Sequence, residues 1–231
     1  FESYPSPFIR EHSFSNVITL IPDTLTSNDY AALSGIFRML GHYLKNNLGV
    51  LEVKKVSEEY ELADKNIIAL GTLNENIYVS TLNSQLYYKF SMDGTTILPP
   101  ENLDATEMPY ESLGICQLIK TLESSDNELG YGILVVSGCS DQDVLNAASY
   151  LSSQEKIQTL YGNGYTATDT TLSCYRIKED LTKKKIVIHS KLYGSKEFSL
   201  SQLTSKMLLV FLLLCTILLI NKHRKRVVHE K

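Results

Sequence analysis

Few residues in this chain are spaced for chemistry. Ser137-Gly138-Cys139-Ser140 would present Cys139 at a helix N-terminus, where the helix dipole lowers a thiol pKa and makes a nucleophile. No base stands near it in sequence, because the histidines at 12, 42, 189, 223 and 229 are dispersed. Asp23 follows Pro22 and could serve as a catalytic carboxylate, although an Asp after Pro more often shapes a turn. Gly71-Thr72-Leu73-Asn74 looks like a phosphate loop but lacks the glycines of GxGxxG and the Walker lysine. There is no GxSxG elbow. Cys116, Cys139, Cys174 and Cys215 form no CxxC pattern, so neither a zinc site nor a disulfide framework is indicated. One disulfide among the first three and free thiols both stay open. The chain has 14 Tyr and no Trp. Tyr4, Tyr87, Tyr88, Tyr131, Tyr161 and Tyr165 are candidates to stack on a sugar, though a core role is the ordinary one for each. These patterns predict no catalytic, cofactor or metal site, and so no enzyme.

The elements that would position these residues are legible. Asn16 to Ile21 is an apolar, β-branched run ending at Pro22-Asp23, a buried strand and turn. Ser27-Asn28-Asp29 then caps a helix whose Leu33, Ile36, Phe37, Leu40 and Leu44 share one face. Asn47 to Gly49 closes it. Val50 to Val56 alternates like a strand, and Asn66 to Leu70 is a second buried strand. Asn74 is placed to cap a short helix reaching Leu86. Residues 90–112 read as irregular, Leu113 to Leu122 as a strand, and Tyr131 to Val136 as a buried strand. Ser140-Asp141 caps a helix through Leu151. Segments from 157 to 177 are weaker. Buried strands alternating with helices indicate an α/β domain, a mostly parallel sheet with helices on both faces, of flavodoxin-like or Rossmann-like size.

The strongest long-range feature lies near the C-terminus. Residues 207–220 carry no charge and are almost wholly apolar, and Lys222, His223, Arg224, Lys225 and Arg226 follow. A hydrocarbon core of about 30 Å needs roughly 20 helical residues. Extending the run back to Leu200 supplies that length, with Lys206 reaching to the outer interface. The basic cluster then marks the cytoplasmic side, and everything before the span lies outside. The last 25 residues carry +4, against −4 for the chain, so residues 1–206 carry −8. An acidic domain of that size argues against nucleic acid, and a basic tail suits an anionic inner leaflet of membrane lipid. No apolar leader follows Phe1, so this orientation calls for a signal upstream. The organisation expected is 1–15 as a linker from an upstream domain, 16–178 as the α/β domain, 179–199 as a juxtamembrane or interfacial connector, 200–221 as the span, and 222–231 as the tail.

The layout resembles a known family. Tyr4-Pro5-Ser6-Pro7-Phe8 precedes Val17 to Asp23, and Ala31-Ala32-Leu33 and Leu40-Gly41 lie on the following helix. Asn66 to Thr72, Val135 to Gly138, Ala147 to Leu151 and Leu160 to Gly164 come in order before the apolar run and basic tail. Together these resemble the C-terminal part of the bacterial cellulose synthase B subunit family, over most of residues 4–226. The resemblance implies a flavodoxin-like three-layer domain outside the membrane followed by one transmembrane helix. It implies a non-catalytic accessory subunit without cofactors. Its anchor would pack on the catalytic A-type subunit, a family-2 glycosyltransferase using UDP-glucose, and the outer domain would help guide the nascent glucan. On that reading Met207, Val210, Phe211, Leu214, Cys215, Ile217 and Leu218 bind the partner, and Lys222, Arg224, Lys225 and Arg226 meet the inner leaflet. Tyr87, Tyr131, Tyr161 and Tyr165 are the glucan-facing aromatics. The family's cyclic di-GMP label finds no support in these residues, because the chain has no RxxxR motif and its large domain is acidic and outward. Two other readings stand beside it. One is a single-pass cell-surface adhesin or sensor unrelated to polymer synthesis. The other is an extracytoplasmic hydrolase, which lacks a visible nucleophile–base pair.

Overall fold

The computed structural model describes residues 1–46, 48–100, 110–120, 132–178, 186–189 and 193–194, the last two segments and residues 120 and 178 by backbone alone. A hairpin of β1 (Ile9–Arg10) and β2 (Ser13–Phe14) turns through Glu11 and His12, both at positive φ. β3 (Val17–Ile21) leads into α1 (Ser27–His42), and β4 (Leu51–Lys55) and β5 (Asn66–Leu70) follow. Next come α2 (Ile77–Leu82), a short 3₁₀ turn, and a small hairpin of β6 (Lys89–Phe90) and β7 (Ile97–Leu98). β8 (Gly114–Lys120), β9 (Gly132–Gly138), α3 (Asp141–Ser149) and α4 (Gln154–Ile157) precede β10 (Gly164–Ala167) and β11 (Thr171–Lys178). β12 (Ile186–His189) and β13 (Tyr193–Gly194) complete the described elements.

Nine of these strands form one mixed sheet, in the order β12-β11-β10-β8-β9-β5-β3-β4, with β13 also paired to β11. β4, β3, β5 and β9 run parallel; every pairing from β9 through β8, β10 and β11 to β12 is antiparallel. Connection length explains the change. α1 supplies the long crossover that parallel β3 and β4 require, whereas β10 and β11 are joined by residues 168–170 and can only turn back.

Two apolar cores cover the two faces. Val17, Ile21, Ile68, Leu70, Leu134 and Val136 pack with Ile36, Leu40, Val144 and Ala147 of α1 and α3. Their neighbours Ile18, Leu20, Ile67, Ala69, Ile133 and Val135 point the other way, onto Val79 and Leu82 of α2 and onto Tyr87 and Tyr88. Every residue of β3, β5 and β9 is buried, which is why these strands read as unbroken apolar runs.

Two segments differ from the expected organisation, and a third lies outside the described residues. Residues 1–15, expected to be a linker, contribute Phe1, Phe8 and Ile9 to the first core. Glu2 holds that segment down, accepting from the Gly162 amide at 3.1 Å and pairing with Arg176. Apolar residues separated by two prolines show no period, so their burial left no trace in the pattern. β12 and β13, inside the expected connector, pair with β11. The described residues fall in the unit Phe1–Gly194; the expected span and tail lie outside them. No helix among the described residues is long and apolar enough to cross a membrane.

Candidate functional site

Small ligands of doubly wound α/β domains bind at the carboxyl edge of the parallel strands, where successive crossovers leave to opposite faces. In this sheet that point lies between β3, whose helix α1 joins the first core, and β5, whose helix α2 joins the second. Two local contacts tie the strand ends together there. The Asn76 side chain is fully buried, and its amide donates to the carbonyls of Leu20 at 3.0 Å and Leu70 at 2.9 Å. Its oxygen accepts from the amides of Tyr78 and Val79, capping α2. All four contacts of one carboxamide are spent on joining two strand ends to a helix. Gly71 stands at φ +130° against Pro22, and a Cβ there would come within 2.7 Å of the proline Cγ. The cap is therefore Asn76 rather than the expected Asn74. Both precede an apolar turn, but only Asn76 stands within reach of the strand ends, and Asn74 donates instead to the Asp93 carbonyl.

The Asp23 carboxylate accepts from the Ser57 amide at 3.1 Å, which links the loop after β3 to the chain just beyond β4. Thr72 donates its hydroxyl to Glu75 at 2.8 Å. Partial burial raises the Glu75 pKa; Thr72 opposes this, and the carboxylates of Asp141 and Asp29 add to it. Asp29 and Asp143 are both buried N3 residues. Asp29 closes a capping box with Thr26. Asp143 accepts from Ser140 at 2.7 Å and from Ser112 at 2.8 Å, which ties the start of α3 to the entry of β8. Gly114 lets this happen, since a Cβ there would meet the Asp143 carbonyl at 2.2 Å. Asp29 and Asp143 thus serve the helix starts. Among the described residues, no group of three or more His, Cys, Asp or Glu is arranged to hold a metal ion.

Cys139 sits at the start of α3 as the sequence predicts, but its chemistry is different. The thiol is half-buried and donates to the Tyr110 carbonyl at 3.4 Å, and burial pushes its pKa up. A nucleophile needs the opposite shift. His12 lies beside the C-terminal end of α1, with its ring 3.3 Å from the Tyr43 carbonyl, and His42 belongs to that last turn. α1 returns across the sheet over 16 residues, about 24 Å, which puts both rings at the amino edge. Cys116, Cys139 and Cys174 are all free thiols. Cys116 and Cys174 flank Tyr165 on neighbouring strands, two strand spacings or about 9.6 Å apart, too far for a disulfide.

The tyrosines expected to face glucan take other places. Tyr87 packs in the second core against Tyr88 and Tyr175, with ring centroids 5.2 and 5.0 Å away. Gln117 accepts there from the Tyr87 amide at 2.9 Å and the Tyr175 hydroxyl at 3.4 Å. Tyr165 is fully enclosed in the first core, donates to the Ala147 carbonyl at 2.8 Å, and touches Phe1. Rings buried in this way present no face to a polymer, which corrects the expectation for Tyr87 and Tyr165. Tyr161 is partly exposed and donates to the Cys174 carbonyl at 3.2 Å. Tyr131 lies outside the described residues, as do all the anchor and basic-tail residues, from Met207 and Val210 to Arg226.

Asn76 and Gln117 carry much of the internal polar organisation and were not singled out in the sequence. Their only sign was an amide residue beside an apolar run. Compared with models of known protein families and with curated proteins, the chain matches none.

Proposed function

We propose that this chain is a non-catalytic, membrane-anchored accessory subunit of a cellulose or related exopolysaccharide synthase. Its outer part is a flavodoxin-like domain, and residues 200–221 are a single transmembrane helix packed against the UDP-glucose-using glycosyltransferase. The observation that carries this reading is the apolar run 207–220 with Lys222, Arg224, Lys225 and Arg226 directly behind it. The parallel half of the sheet supports the flavodoxin-like part: numbered among themselves, its strands stand in the order 2-1-3-4. The clasp of Asn76 on the ends of β3 and β5, with Gly71 packed on Pro22, suits a rigid scaffold. With Tyr87 and Tyr165 buried, contact with emerging glucan falls to surface residues such as Tyr161.

Co-purification tests the anchor. The full chain and a variant with 207–220 replaced by an unrelated apolar helix are each expressed with the candidate glycosyltransferase. Recovery of the enzyme with the native span and its loss with the replacement support the proposal. Equal recovery, or none with either, returns the chain to the single-pass surface-protein reading.

A further inference from the structure

β4 is the last strand at its end of the sheet, and among the described residues no strand lies beyond it. Two hydrogen bonds fix which of its backbone groups face inward. The Val17 amide donates to the Val50 carbonyl at 2.8 Å, and the Val56 amide donates to the Ile21 carbonyl at 3.0 Å. By alternation, residues 50, 52, 54 and 56 address β3, and Leu51, Val53 and Lys55 turn their amides and carbonyls outward. The Lys55 carbonyl is taken by the Glu58 amide at 3.0 Å. The edge also shows apolar surface: Val50 and Val53 are each 49% exposed and Leu48 is 87% exposed.

We infer that this edge pairs antiparallel with β4 of a second copy of the chain, about a two-fold axis at Val53. Outward groups can pair only with outward groups, which leaves a few symmetric registers. A register centred on Glu52 sets Glu52 against its own mate, and one centred on Lys54 sets lysine against lysine, both repulsive. Centring on Leu51 or Lys55 leaves part of the strand unpaired. Centring on Val53 keeps all five residues in register. It places Glu52 opposite Lys54 of the other copy, twice by symmetry, in the non-hydrogen-bonded positions where side chains approach most closely. Val53 then meets its mate on one face, and Val50 meets Val56 on the other. Lysines on a free edge commonly deter pairing, but in this register Lys54 becomes an attraction. Within each copy Glu52 holds Lys65 at 2.6 Å and Lys54 lies 3.6 Å from Glu58, so the cross-strand pairs join the two existing ion pairs into one network. A closed, isologous contact of this kind joins two sheets into one and leaves neither β4 edge free.

The test uses the full chain in membranes, with Val53→Cys introduced. A hydrogen-bonded antiparallel pair holds its Cα atoms about 5.5 Å apart, within disulfide range. Mild oxidation should therefore give a dimer on a non-reducing gel in excess of that formed by the parent chain. Adding Glu52→Lys should cut its yield about tenfold, as two attractive pairs become repulsive. Lys54→Glu, which leaves the Glu52–Lys65 pair intact and breaks only the exposed Lys54–Glu58 pair, should do the same. Combining Glu52→Lys with Lys54→Glu should restore the dimer. No excess dimer with Val53→Cys, a dimer indifferent to either single reversal, or failure of the combination to restore it would each overturn the inference.

Discussion

Gly71 lies against Pro22 so closely that a Cβ on the glycine would fall 2.7 Å from the proline Cγ, at a backbone φ of +130° that L residues rarely adopt. This contact closes the sheet edge between β3 and β5. Gly71→Ala combines a steric clash with a strained backbone, each costing about 1–3 kcal/mol. The expected loss is about 2–6 kcal/mol in urea unfolding, read as a lower midpoint at unchanged slope.

Asn76 serves as both a helix cap and a strand clasp, and two substitutions separate the roles. Asn76→Ala loses the cap, worth about 1 kcal/mol, and takes a donor from two buried carbonyls, at up to about 1–3 kcal/mol each. Asn76→Asp keeps the capping oxygen but sets a carboxylate against the carbonyls of Leu20 and Leu70. The clasp predicts that Asn76→Asp is at least as destabilising as Asn76→Ala. A milder effect of Asp would mean that capping dominates.

Alkaline pH should weaken the fold through its buried acids. Burial pushes the Cys116 thiol up to about 12 from 9.0, and it raises Tyr165 and Tyr175 well above 10.0. These groups stay neutral when folded and ionise when unfolded. Their contribution is full below the unfolded values and is lost as pH rises through the folded ones. Stability should fall from about pH 9 upward, each group adding up to about 1.4 kcal/mol per pH unit. Urea midpoints from pH 8 to 11 check this, and Cys116→Ala should reduce the slope.

Glu75 carries the same sign at lower pH. Its raised pKa comes first from partial burial, then from Asp141 and Asp29. The wild-type contribution is full below the unfolded carboxylate pKa and is lost as pH rises through the folded value. Glu75→Gln should therefore be neutral or stabilising at pH 7, by no more than about 0.5 kcal/mol at so exposed a position. That advantage should vanish on acidification to pH 4.

What the sequence revealed follows burial. β3 and β5 are flanked by strands on both sides and covered on both faces, so 17–21 and 66–70 announce themselves as apolar runs. α3 was legible because Ser140-Asp141 is a local cap signal, and Ser140 is the N-cap. β10 and β11 were harder, since Thr166, Ser173 and Arg176 interrupt the apolar pattern. The roles of Tyr87, Tyr165 and Gln117 depend on strands far apart in sequence. Tyr165 is enclosed only because Phe1 and α3 close over it, and no spacing rule encodes that.

The most direct test of the proposed role is glucose incorporation from UDP-glucose by membranes containing the candidate glycosyltransferase. The enzyme is assayed alone, with the full chain, with a chain cut after Lys196, and with the 207–220 replacement. The account predicts polymer only when the native span is present. Equal incorporation in all four membranes would contradict it.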